Sequence, residues 1–190
     1  QLAYSEGAPV YRCRISIVKE DGTEAATGEE GEVRLAGPML FKGYTDPALN
    51  ATAFDAAGRF RTGDLGVLRA DGHVTLTGRL KDVIIRKGEN VSAKEVEDIL
   101  YTHAKVKDCA VIGLPDRERG ERVCAVVETA DGQEPLTFAE MQQWCRDAGL
   151  KVQKIPEQLE VVDALPRNPT MKILKHELVA RFKSQPAGKA

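Results

Sequence analysis

No stretch of the 190 residues approaches the roughly 20 consecutive apolar positions that span a bilayer, and the N-terminus has neither the basic nor the apolar region of a signal peptide. Charge of one sign is also lacking. Lys and Arg number 27 against 29 Asp and Glu, a net charge of -2, which excludes the overall basic excess of a nucleic-acid or membrane-surface binder. Cysteine is sparse: Cys13, Cys109, Cys124 and Cys145 form no C-x-x-C pair, and three of them stand in apolar stretches. That setting fits reduced core thiols better than a zinc site or a disulfide framework. His73, His103 and His176 have no acidic or cysteine partner at ligand spacing, so no metal site is expected from them. What is present is 42% hydrophobic residues, enough to bury a core unaided by metal or disulfide. The chain reads as soluble and cytoplasmic, with no nucleic-acid partner and no transmembrane segment.

The charge is distributed unevenly. Residues 1–77 carry 8 basic and 11 acidic side chains, whereas residues 78–190 carry 19 and 18. A local cationic excess falls at the end, where Arg167, Lys172, Lys175, Arg181, Lys183 and Lys189 face only Glu177. For most of these a solvated helix and a frayed tail are expected.

Short strands dominate the first part. In residues 10–18, Tyr11, Cys13, Ile15 and Ile17 alternate with polar residues at the period of a half-buried strand. GEVRLA, GVLR and HVTLT repeat the pattern, with no helix longer than a turn or two around DPALNATAF. The pattern then changes. A strand LKDVIIR and a turn KGEN lead to Ser92 and Glu95, spaced as a capping box before a helical stripe of Val96, Ile99 and Leu100. Strands CAVIGL and RVCAVVET follow, and Thr137 with Glu140 repeats the box before a helix that Gly149 ends. QLEVVD reads as a last strand, PRNPT as a loop and ILKHELVARF as a final helix with Leu174, Leu178 and Phe182 on one side. Strands with helices laid against them predict a small α+β domain from about Arg79 to Phe182. Trp144 and Met141 read as core filler, and Glu95 and Glu97 fall two apart on a helix, so capping and solvent account for them.

Three stretches stand out for chemistry: RTGDLG at 61–66, GRLKDVIIRKGENVSAKEVE at 78–97 and LPRNPTMKILKHEL at 165–178. With GEVRLAGPMLFKGYTDPALNATAF ahead of them, their order and wording resemble the adenylate-forming superfamily, which includes acyl-CoA synthetases, firefly luciferase and peptide-synthetase adenylation domains. The resemblance covers nearly the whole chain. The family's phosphate loop and its Tyr-Gly-x-Thr-Glu segment are missing, which implies a C-terminal portion of a longer enzyme. On that reading residues 1–78 are the last β subdomain of the large N-terminal domain, and residues 79–190 are the compact, mobile α+β C-terminal domain.

The resemblance implies roles for particular residues. Asp64, the aspartate of TGD, binds the ATP ribose, where one carboxylate accepts from two vicinal hydroxyls; Arg79 meets the same ribose. Lys81 and Asp82 are the hinge on which the small domain rotates. Gly88 lets the backbone approach a pantetheine chain. Lys172 is the catalytic residue, its ammonium facing the charge that builds on the α-phosphate and the attacking carboxylate. Here the family has Gly-Lys and this chain Met171-Lys172, a change expected to leave the loop stiffer and less able to take a positive φ.

The function implied is an ATP-dependent acyl-CoA synthetase using ATP with Mg²⁺ and coenzyme A, its fragment alone being inactive. SAKEVE after GEN looks more like the CoA ligases than their relatives. The alternatives are a ligase that loads a carrier-protein phosphopantetheine and a free-standing, non-catalytic binding module. Fatty, aromatic and cyclic acids all stay open as the carboxylic acid substrate.

Overall fold

The computed structural model describes residues 5–184 and divides into two compact units, Gln1–Lys81 and Asp82–Ala190. Lys189 of the cationic run, and the first four residues of the opening segment, lie outside the described residues. Among the described residues, no helix is long and apolar enough to cross a membrane.

The first unit is an antiparallel sheet of β1 (Arg14–Val18), β2 (Glu30–Ala36), β3 (Phe60–Leu68) and β4 (Val74–Arg79), adjacent in chain order. Alternation puts Ile17, Val33 and Val74 on one buried face, with Ile15, Leu35, Leu68 and Leu76 packed around them. Strand β1 starts later than the alternation from Tyr11 predicts. Arg12 has φ 66° and Tyr11 is 87% exposed, and a left-handed residue breaks the pleat before the hydrophobic pattern can extend it. A short helix, α1 (Pro47–Ala53), is capped by Asp46, whose carboxylate accepts from the Ala48 amide, with Pro47 in the first turn.

The second unit is a five-stranded sheet with helices on both faces. It comprises β5 (Val83–Arg86), β6 (Glu89–Ser92), β7 (Val106–Asp116), β8 (Gly120–Thr129) and β9 (Gln158–Val162). Strand β8 is central: β7 pairs along one edge, while β5 and β9 share the other. Its run Val123–Val127 is apolar without interruption because both faces are covered. Val123, Ala125 and Val127 face a core that includes Val96 and Leu100 of α2 (Ala93–Leu100) and Met141 and Cys145 of α3 (Phe138–Asp147). Cys124 and Val126 face Leu178 and Phe182 of α4 (Lys175–Phe182). Cys109, Cys124 and Cys145 are free, buried thiols, and desolvation pushes the first two up to about 12 and the third to about 11.

Both predicted helix starts are present. The Ser92 hydroxyl accepts from the Glu95 amide, and the Thr137–Glu140 pair closes a reciprocal capping box. Trp144 is not core filler: it is 36% exposed, and its Nε1 donates to the Ile99 carbonyl and the Thr102 hydroxyl, tying α3 to the end of α2. Glu140 gives the second cap a pH dependence. The Lys105 ammonium, then the Thr137 amide and hydroxyl, hold its carboxyl down to about 2 from the ordinary 4.5. A depressed pKa contributes stability that is present above the unfolded value and lost as pH falls through the folded one. Stability measured between pH 4.5 and 2 is expected to fall more steeply in the native chain than in Glu140→Gln. Equal slopes would remove Glu140 from the acid response.

Candidate functional site

Antiparallel pairing of β3 with β4 sets Asp64 opposite Arg79. RTGDLG lies wholly within β3, bent by Gly63 at φ 71° and by a register shift between Leu65 and Gly66. The Thr62 hydroxyl donates to the Val33 carbonyl at 2.7 Å and accepts from the Asp64 amide at 3.0 Å, fixing the backbone that aims the carboxylate. Arg79 Nε lies 2.9 Å from Asp64 Oδ1, with the two side chains 51% and 25% exposed. An ion pair this open is worth about 0–1 kcal/mol, so it orients the carboxylate more than it stabilises the sheet. A carboxylate has about four lone-pair sites, which gives Asp64 the capacity to accept from further donors. The two residues that the sequence marks for one ligand therefore stand together.

The segment after β4 differs from the predicted strand. Leu80–Asp82 form a 3-10 turn, and the pleat begins only at Val83. Lys81 is exposed, whereas Asp82 is half-buried with Lys175 Nζ at 3.7 Å. The KGEN segment is a turn of two residues followed by strand β6: Arg86 pairs with Glu89, and Lys87 and Gly88 take φ 51° and 80°. Positive φ at both central residues is what a tight hairpin of right-twisted strands requires, and glycine meets it without strain. A Cβ on Gly88 would have no atom within 4 Å, so the hairpin tip is open.

Lys172 lies in a loop held by its own side chains. Asn168 Oδ1 accepts from the Thr170 amide at 3.1 Å, the Thr170 hydroxyl at 2.9 Å and the Lys172 amide at 2.9 Å. The Asn168 amide donates to the Lys172 carbonyl, and Arg167 bridges to Ile173. Among the described residues Lys172 has no ion-pair partner, and it is exposed. Met171 takes φ 66°, so the loop adopts a positive torsion even though methionine, unlike glycine, disfavours it. Left-handed backbone costs a non-glycine residue roughly 1–2 kcal/mol, and the surrounding hydrogen bonds hold it there. Met171→Gly is therefore expected to leave the loop intact and raise stability by about 0.5–1 kcal/mol after glycine's entropy is counted. Thermal or denaturant unfolding checks this, and a loss of stability would contradict the strain.

The helix predicted over ILKHELVARF begins only at Lys175, because Ile173 pairs with Arg167 instead. Two members of the cationic run are half-buried and paired. Lys175 Nζ lies 2.8 Å from Glu97 Oε1, and Arg167 pairs with Asp108. Glu97 is likewise not a solvent residue: it is 16% exposed and accepts from the Val111 amide at 2.7 Å, while Glu95 pairs with Lys154. These partners lie far apart in the chain, beyond any local pattern. Among the described residues, no group of three or more His, Cys, Asp and Glu side chains could hold a metal ion.

Residues 95–172 match the family model of the AMP-binding enzyme C-terminal domain. The salicyl-AMP ligase / salicyl-S-ArCP synthetase of Mycobacterium tuberculosis is 38% identical over 183 residues, which cover 95% of this chain and 32% of that protein. The medium-chain fatty-acid–CoA ligase of Escherichia coli is 36% identical over 176 residues, 92% of this chain and 31% of its own length. ATP-bound MatB from Rhodopseudomonas palustris is similar in structure, with a TM-score of 0.87 and 34% identity over 95% of this chain and 36% of that one. The chain thus spans about a third of the length of these relatives, two of which are named for a salicyl group and for a medium-chain fatty acid. The chain belongs to the adenylate-forming family and carries its AMP-binding C-terminal domain.

Proposed function

We propose that the chain is the C-terminal part of an ATP-dependent acid–thiol ligase. The enzyme joins a carboxylate to ATP as an acyl-adenylate, releasing pyrophosphate, and then passes the acyl group to coenzyme A with release of AMP. The observation that carries this reading is Lys172, an ammonium with no ion-pair partner among the described residues, on a loop ordered by Asn168. An uncommitted cation on a rigid support can stabilise negative charge as it develops on the reacting phosphate, because little reorganisation is needed at that moment.

The other residues take supporting roles. Asp64 accepts from the ribose hydroxyls, with Arg79 fixing its direction. Lys81 and Asp82 are the hinge between a β subdomain at 1–78 and the C-terminal domain at 79–190. Gly88 gives a pantetheine chain an open path past the hairpin tip. Mg²⁺ enters with the ATP phosphates, where it neutralises part of their charge. A cytoplasmic location is the reading that fits these cosubstrates.

A second acceptor is favoured by a specific observation: the salicyl-AMP ligase relative is named for a carrier-protein thioester, at an identity similar to that of the CoA ligase. The test supplies the full-length protein with ATP, a panel of carboxylates and, separately, CoA or a phosphopantetheinylated carrier protein. Thioester on CoA supports the first reading and thioester on the carrier the second. Neither product, with no adenylate formed, would support a non-catalytic binding module. Residues 1–190 alone are expected to form no thioester, since one or two contacts cannot offset the entropy of binding.

A further inference from the structure

The Lys172 loop is tied to itself through Asn168 and to the sheet through Arg167. The Nη1 of Arg167 donates to the Met171 carbonyl at 2.6 Å, and its Nη2 pairs with Asp108 on β7. Asp108 is 17% exposed and Arg167 28%, so both are shielded from much of the solvent screening that weakens surface pairs. The Asp108 carboxylate is itself fixed. The Cys109 amide donates to Oδ1 at 2.8 Å, and the Tyr101 hydroxyl, at the end of α2, donates to the same oxygen. The register of β7 against β8 shifts between Val106 and Asp108, where the bulge turns this side chain from its regular alternation.

A continuous set of polar contacts thus runs from α2 and β7 to the carbonyl of the residue before Lys172. That residue, Met171, is the one whose torsion a non-glycine side chain disfavours. We infer that Asp108 and Arg167 form a strut that positions Lys172 for adenylation, with Tyr101 locking the carboxylate from the helix side. This rests on the reading of Lys172 as the adenylation residue. Arg167 suits the task because a planar guanidinium can hold a carboxylate and a carbonyl on different nitrogens at once, which one ammonium does less well.

The test compares Asp108→Asn, Arg167→Gln and Arg167→Lys in the full-length protein, each also combined with Lys172→Ala. Amide hydrogen exchange at Met171 and Lys172 is expected to rise about tenfold in the Asn and Gln variants, with the amides of β8 unchanged. Pyrophosphate exchange is expected to fall by up to about a hundredfold, the loss typical of a misplaced catalytic group. Transfer from a supplied acyl-adenylate should be unaffected. In the Lys172→Ala background the strut substitutions should cost nothing further, and Arg167→Lys should recover only part of the rate.

Unchanged amide exchange at 171 and 172 in both Asp108→Asn and Arg167→Gln would overturn the strut. So would an equal fractional loss of adenylation with and without Lys172. If the amides loosen as expected but Lys172→Ala leaves adenylation intact, the strut stands as a lock on the loop and the role assigned to Lys172 falls. Arg167 lies at the edge of its loop, so Arg167→Gln keeps the test open should Asp108→Asn fail to fold.

Discussion

Replacing Lys172 with Ala is expected to slow acyl-adenylate formation by the full-length protein about a hundred- to a thousandfold, the range seen when one preorganised electrostatic contact is removed. Transfer of an acyl group from synthetic adenylate to the thiol should be largely preserved. Lys172 is exposed and has no ion-pair partner among the described residues, so the melting temperature should hardly move. Surface substitutions of this kind usually lie within about 0.5 kcal/mol. Three measurements check it together: pyrophosphate exchange, thioester formation from the adenylate, and thermal unfolding. Equal loss of both half-reactions in a folded variant would contradict a role confined to the first.

Asp64→Ala is the second large effect, expected in nucleotide binding rather than in the chemical step. Each charge-assisted hydrogen bond to a ribose hydroxyl is worth about 1.5–3 kcal/mol, so loss of both should weaken ATP binding by well over tenfold. Arg79→Ala should cost far less, because its side chain is 51% exposed and acts by orienting the carboxylate. Titration with ATP and with its 2′,3′-dideoxy analogue isolates the contact. Native protein should prefer ATP, and Asp64→Ala should bind the two alike. A preference that survives the substitution would assign the ribose to other residues.

Much of the scaffold was legible because its signals are local. The Thr137–Glu140 box depends on residues three apart, and both halves of it form. The uninterrupted apolar run at Val123–Val127 marks a strand covered on both faces. The errors lie where one local pattern hides another. KGEN at 87–90 reads as a turn before the Ser92 cap, yet Glu89–Ser92 first pair with β5, since Ser92 can end a strand and cap a helix together. Tyr11 and Cys13 fitted a strand period, but period alone does not reveal the left-handed Arg12 between them.

At the candidate site the wording of RTGDLG and LPRNPTMKILKHEL singles out Asp64 and Lys172 as candidates, whereas the long-range contacts around the Lys172 loop stay hidden in the sequence. Arg167 with Asp108 on β7, and Lys175 of α4 with Glu97 of α2, join residues brought close only when the second unit folds. A sequence read alone shows those charges as a cationic run and a helix surface. Met171 is a different case. Its torsion follows from the turn that Asn168 closes, and that turn overrides the residue's own preference.

The most direct test of the account is exchange of labelled pyrophosphate into ATP by the full-length protein, measured against fatty, aromatic and cyclic carboxylates with no thiol present. The account predicts exchange that requires both Mg²⁺ and one class of acid, and that falls about a hundredfold or more in Lys172→Ala. Nucleotide binding without exchange for any acid would contradict it, leaving the fold as a binding module.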